Sequence, residues 1–201
     1  MKHDLSRAAA DLLDGDATPA QLRLLEAFEG LLVTRAIPLG FIAEGDANDV
    51  RERHVLDCVR AAPHVRPGRL ADLGSGAGLP GLVIAILRPD IVVDLVEAQR
   101  RRLAFLELAV DRLGLPNAIP VGARVQTLEG RYTGALARAF AGAERSWRLA
   151  EPHLEHDGEL VYFAGRTFDG AVLRPLAVRA KVVPPPPLLA RSGPLVIMSR
   201  Q

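Results

Sequence analysis

Leu70-Ala-Asp-Leu-Gly-Ser-Gly-Ala-Gly-Leu-Pro-Gly81 decides how the rest of the chain is read. An apolar approach of Leu70, Ala71 and Leu73 is broken by one acid, Asp72. Glycines alternate at Gly74, Gly76 and Gly78, and Gly81 follows. From Leu82 the chain is apolar again, as Leu-Val-Ile-Ala-Ile-Leu. The pattern predicts strand, glycine turn, helix. Glycine is needed where the backbone takes a positive φ, or where a ligand lies against it with no Cβ between. A helix starting here aims unpaired N–H groups and its positive dipole end at that ligand. Pro80 suits the first helical turn, where its missing N–H costs nothing. The stretch is the ligand turn of an α/β domain, and the question is which ligand.

Outward from the turn, strands and helices alternate. Ile91–Val96 is a second strand, near-continuously apolar as buried parallel strands are, and it ends at Glu97. A helix follows with Arg100, Arg101 and Arg102 at its start. Leu103, Leu106, Val110 and Leu113 share one face, and Gly114 closes it. Ala118–Val121 is a third strand, with Val125 and Gln126 in the loop beyond. Ala135–Ala137 runs through Arg138 to Phe140 as a fourth strand and loop, and Gly142–His153 is a short helix around Trp147. Leu160–Phe163 is a fifth strand, with Arg166 in the loop after it. Val178–Val183 and Leu195–Ser199 have no helix between them, so they are expected to form an antiparallel hairpin. The fold class is therefore α/β, a mostly parallel sheet covered by helices and ended by that hairpin.

Upstream, Leu5, Ala8, Ala9, Leu12 and Leu13 recur at helical spacing, and Gly15 stops that turn. Thr18-Pro19 opens a longer helix, with Gln21 at the position of a capping-box partner. Residues 1–48 are read as an N-terminal helical extension and 49–201 as the main domain. A helix over 49–61 brings His54 and Asp57 to one face. That pair is a structural ion pair or an acid/base unit; no ligand spacing supports a metal site.

The 201 residues suit one domain with a sizeable core. No apolar run is long enough to cross a bilayer, and Met1–Arg7 has no signal-peptide core. With Cys58 as the single cysteine, no internal disulfide can form. These features predict a cytoplasmic protein with no membrane partner, and a monomer. A net charge of +1 does not by itself mark a nucleic-acid binder. The 23 Arg against two Lys suit phosphate contacts, but a genome rich in G and C explains the bias more simply.

Gly76, Gly78 and Gly81 match the G-x-G-x-x-G of dinucleotide enzymes. Asp72 argues against that ligand, because an acid beside the turn opposes a pyrophosphate. The hairpin also replaces the second mononucleotide half. The D-x-G-x-G-x-G turn instead resembles that of class I methyltransferases, which bind S-adenosylmethionine.

A narrower resemblance covers Arg53 to Phe163. Arg53-His54-Val-Leu-Asp57, the turn at 74–81, Arg88-Pro89, Glu97 with Arg101-Arg102-Leu-Ala-Phe-Leu106, and Ala137-Arg138-Ala-Phe-Ala141 are similar to motifs of one family. It is the bacterial small-subunit (16S) ribosomal RNA guanine-N7 methyltransferases, the RsmG or GidB family. The resemblance implies S-adenosylmethionine as cofactor, held by Asp72, Gly74, Gly76, Gly78 and Leu79 at the turn. It implies Glu97 on the ribose, Val125 and Gln126 around the adenine, and Arg138 near the methionine end or the target base. His54, Asp57 and Arg166 are the substrate-side candidates, and small-subunit rRNA or the ribosomal subunit is the implied partner. Gly40-Phe41-Ile42 stands where the family has N-L-T, and no lysine follows the fifth strand. Two other readings share the turn: a small-molecule methyltransferase, and a binding module without turnover.

Overall fold

The computed structural model describes residues 4–13, 15 and 17–201. Seven strands form one sheet in the order β3-β2-β1-β4-β5-β7-β6. They are β1 (Gly68–Leu73), β2 (Ile91–Val96), β3 (Ala118–Val121), β4 (Tyr132–Arg138), β5 (Leu154–Phe163), β6 (Val178–Val183) and β7 (Leu195–Arg200). The first five are parallel neighbours; β7 pairs antiparallel with both β5 and β6. The hairpin is therefore as expected. Its second strand, however, lies inside the sheet, and β6 forms the edge.

Side chains alternate across this sheet with period two. Leu70, Ile91, Val93, Leu95, Leu136, Val161 and Ile197 face one core. Ala71, Leu73, Ala135, Ala137, Leu160, Val196 and Met198 face the other. Helices α1 (Leu5–Leu12), α2 (Pro19–Leu31), α4 (Gly81–Leu87) and α5 (Arg100–Leu113) cover the first face. So does a π-helical turn, Arg51–Leu56, leading into the short α3 (Asp57–Val59). Helix α6 (Ala143–Ala150) covers the second face with Trp147.

Local sequence explains these boundaries. Thr18 and Gln21 form the expected capping box at the start of α2. The Gln21 amide also donates to the Leu87 carbonyl at 2.9 Å, pinning α2 to the end of α4. Gly114 ends α5 in the left-handed conformation, which a glycine adopts without strain. Leu25, Phe28 and Leu32 are buried in the same core as the sheet, so the N-terminal helices are a layer of that core.

Three boundaries differ from the sequence reading. Pro80 caps α4 from outside, after a cis Leu79–Pro80 bond, and the first helical residue is Gly81. β4 begins at Tyr132, whose hydroxyl donates to the buried Asp94 at 2.9 Å. β5 begins at Leu154, and Glu155-His156-Asp157 is a polar, exposed stretch of strand with no alternating apolar signal.

Candidate active site

The C-terminal ends of β1, β2 and β4 meet at the glycine turn, where open α/β sheets place their ligand crevice. Gly74, Gly76 and Gly78 have φ of +68°, +56° and +83°. Only glycine adopts such angles in succession cheaply. Their missing side chains serve different ends. A Cβ on Gly74 would come within 2.6 Å of the Phe140 ring, and one on Gly78 would strike Leu82 and Leu106. A Cβ on Gly81 would meet the Asp72 carboxylate at 2.5 Å. Gly76 alone faces open space, its nearest neighbours being Gly74 O at 3.7 Å and Arg102 Nη1 at 3.9 Å. Gly78 is thus a packing glycine, and Leu79 is buried in the core.

Asp72 is also placed differently from the sequence expectation. It is buried, and its Oδ2 accepts the Gly81 amide at 3.0 Å, capping α4 from the strand side. Its Oδ1 has no hydrogen-bond partner. Burial pushes its carboxyl up from 3.8 to about 7, against the Gly81 hydrogen bond and the Arg138 charge, which pull the other way. This arrangement argues against a dinucleotide. A carboxylate occupies the helix amide that a pyrophosphate would need.

Beside the turn lies a cavity of about 470 Å³. That is within the range of small-molecule sites. Gly74, Glu97, Val125 and Gln126 line it, with Phe140 from the β4 loop and Leu149 from α6. Glu97 is fixed at the end of β2: Oε2 accepts the Gly76 amide at 3.1 Å and Oε1 the Gln99 amide at 2.8 Å. A carboxylate has about four acceptor sites, so two remain for a diol. Arg102 stands 4.0 Å from Glu97 Oε2 with its guanidinium 5.7 Å from the Phe41 ring. Phe41 also meets Phe105 edge-on at 5.8 Å. Phe41, one of the residues that depart from the family pattern, thus braces α5 and does not line this cavity.

These residues fit S-adenosylmethionine. Glu97 suits the ribose hydroxyls and Val125 and Gln126 the adenine, while Asp72 is buried behind the turn and does not line the cavity. The helix amide that a pyrophosphate would take is already held by Asp72.

Arg138 does not line this cavity. At the end of β4 the chain turns through Ala139, a non-glycine residue at φ +51°, and the two neighbours part. Ala139–Gly142 line the first cavity, while Arg138 lines a second of about 540 Å³. Residues 48–57 and the turn at 188–192 form its other walls. Arg138 is held there by Asp57 Oδ2 at 3.3 Å, the Arg53 carbonyl at 2.9 Å and His54 Nδ1 at 3.1 Å.

The His54–Asp57 pair of the sequence reading does not form. The π-helical turn rotates the two apart, and Arg138 lies between them. An arginine only donates, so His54 Nδ1 accepts and Nε2 carries the proton given to Asp46 Oδ2 at 3.0 Å. Burial, then the Arg138 charge, hold the His54 pKa below its ordinary value, with Asp46 opposing. Asp57 Oδ1 is taken by Arg60, whose Nη2 lies at 2.8 Å and also donates to the Gly193 carbonyl. Arg166 is exposed on the loop after β5 and lines neither cavity. Asp46 has no functional signal in the sequence, because Gly45-Asp-Ala-Asn48 reads as turn formers.

Comparison with known proteins places this geometry in a family. Residues 21–172 match the family described as GidB, rRNA small subunit methyltransferase G. The ribosomal RNA small subunit methyltransferase G of Salinispora arenicola is 38% identical over 182 residues, covering 85% of this chain and 73% of the relative. That of Leifsonia xyli is 37% identical over 164 residues, covering 81% and 77%. Among solved structures, MtNAS in complex with MTA and tNA shares the fold, with a TM-score of 0.58 at 15% identity over 98% of this chain and 81% of that one. Methanocaldococcus jannaschii Trm5 in complex with adenosine has a TM-score of 0.53 at 15% identity, over 72% and 47%. At such identities the structural likeness speaks for the fold alone, and the sequence matches carry the assignment: the chain belongs to the rRNA small subunit methyltransferase G family.

Proposed function

We propose that this protein transfers a methyl group from S-adenosylmethionine to N7 of a guanine in small-subunit ribosomal RNA. The observation that carries the reading is the pair of adjoining cavities at the β4 end. One has a carboxylate for a ribose beside the glycine turn; the other is charged and large enough for a nucleoside.

When bound, the cofactor supplies a methyl group on a positively charged sulfur. Guanine N7 has a lone pair and no proton, so no general base is required. The protein's work is to hold N7 in line with that methyl and keep water out. Glu97 and the 125–126 loop anchor the donor end. Arg138 braces the wall between the cavities. Asp57, shared with Arg60, tempers its charge toward the cationic product. Arg102, Arg124 and Arg145 line the donor cavity; in this reading their charges attract the RNA backbone.

The same reading takes the protein as a monomer of the cytoplasm. Among the described residues no helix is long and apolar enough to cross a membrane, and the exposed large apolar side chains are spread along the chain. Light scattering tests the first part.

The activity is tested by incubating radiolabelled S-adenosylmethionine with small ribosomal subunits and with naked rRNA. The expected result is 7-methylguanosine in the nuclease digest. Absence of label in both acceptors would defeat the reading.

A further inference from the structure

We infer that Asp49 reads the acceptor base, its carboxylate accepting the N1–H and N2 amine of guanine and so excluding adenine. The inference rests on the guanine-N7 reading above. It starts from the shape of the base. N7 and O6 share one edge. If N7 faces the donor cavity, the opposite edge faces the far wall of the acceptor cleft. Guanine presents two donors there, N1–H and the N2 amine; adenine presents an acceptor at N1 and has no 2-amino group. A wall that selects guanine needs paired acceptors and no donor, and a carboxylate is the side chain with that property.

Three carboxylates line the cleft: Asp49, Glu52 and Asp57. Asp57 is already engaged, Oδ1 by Arg60 and Oδ2 by Arg138. Glu52 has interactions of its own within the protein. Among the described residues, the Asp49 carboxylate is paired with Arg191 Nη1, at 3.7 Å from its Oδ2. That distance is beyond a hydrogen bond. Arg191 is 82% exposed and Asp49 46%, so the pair is loose and its partner is displaced at little cost.

The backbone beneath the carboxylate is fixed. The Asp49 amide donates to the Asp46 carbonyl at 2.9 Å, and the Arg53 amide donates to the Asp49 carbonyl at 2.8 Å. Asp49 therefore heads the segment that carries Arg53 and Asp57 into the same cleft. An acid at the head of a helical segment also favours the dipole. A structural role of that kind is what the test must separate from base reading.

The test crosses the protein with the substrate. The acceptor RNA carries either guanosine or inosine at the methylated position; inosine keeps N7, O6 and N1–H and lacks the N2 amine. For the wild-type protein, inosine is expected to lower kcat/KM about tenfold to a hundredfold, the worth of one hydrogen bond to a charged acceptor. Asp49→Asn and Asp49→Ala are expected to lose at least as much on guanosine and to show almost no further loss on inosine. Such non-additivity marks a direct contact. A structural role moves the melting temperature and leaves the inosine penalty intact in both variants, which overturns the inference. Wild-type indifference to inosine also overturns it, whatever the variants do. Failure of the wild-type protein to methylate any guanosine acceptor overturns the guanine-N7 reading and this inference together.

Discussion

Glu97 holds the Gly76 and Gln99 amides with one carboxylate and keeps acceptor capacity toward the donor cavity. Glu97→Ala should therefore weaken S-adenosylmethionine binding about tenfold to a hundredfold, measured by calorimetry. Two orphaned amides should also lower stability by about 1–3 kcal/mol. Arg138 makes a second residue-scale case. The resemblance implies a place for it near the methionine end or the target base. In the structure its side chain is 17% exposed and bridges Asp57, His54 and the Arg53 carbonyl. Removing it leaves Asp57 to Arg60 alone and takes the donor from His54 Nδ1 and the Arg53 carbonyl, at about 1–3 kcal/mol. Arg138→Ala should accordingly lower the denaturation midpoint as well as kcat; an unchanged midpoint would show that Asp57 is satisfied by Arg60 alone. This network was illegible beforehand because its members lie at 46, 54, 57, 60, 138 and 193. No local pattern joins positions so far apart.

At the scale of elements, the order strand–turn–helix at 68–87 was legible, though Pro80 lies outside the helix. The apolar approach of β1, the glycine run and the apolar block of α4 are strong local signals. What each glycine does was not legible, since that depends on Phe140, Leu82 and Asp72 arriving from elsewhere. The π-helical turn at 51–56 has no sequence signature either, and it is what separates His54 from Asp57. The turn makes a pH prediction. Buried Asp72 titrates at about 7, against 3.8 for an unperturbed carboxyl. The native state thus keeps a proton that the unfolded chain releases. The stability this proton contributes is present below about pH 4 and is lost as pH rises toward 7, with a slope of at most ~1.4 kcal/mol per pH unit. Asp72→Asn should flatten that decline, as read from urea melts at pH 5 and pH 8. Parallel curves for the two proteins would mean that the carboxyl is already ionised at pH 5.

The whole molecule adds two expectations. Residues 1–48 contribute Leu25, Phe28 and Leu32 to the sheet's own core. Each fully buried side chain of this size is worth about 1.5–3 kcal/mol. A chain starting at residue 49 is therefore expected to lose its cooperative thermal transition by calorimetry; a sharp transition would make 1–48 a separable unit. The second concerns RNA. The net charge of +1 hides the local concentration of Arg102, Arg124 and Arg145 at the donor cavity. If these meet phosphates, Arg124→Glu with Arg145→Glu should reduce the slope of log K against log salt by about 2. Filter binding from low to moderate salt measures it, and an unchanged slope would move the RNA path elsewhere. The parallel sheet, its helical layers and the donor turn were all readable in advance. The acceptor cleft was not, because three distant segments build it.

The placement of β7 between β5 and β6 also bears on how the protein is made. β7 is the latest of the seven strands in chain order, yet two neighbours depend on it. As the chain emerges from a ribosome, β5 and β6 appear with no partner for their facing edges. Neither can bond to the other side of the gap until Leu195–Arg200 arrives. Assembly is therefore a late insertion, and the nascent protein passes through an interval with two open strand edges. Shielding that interval falls to whatever meets the chain at the exit, and shortening the segment by a few residues would prolong it indefinitely.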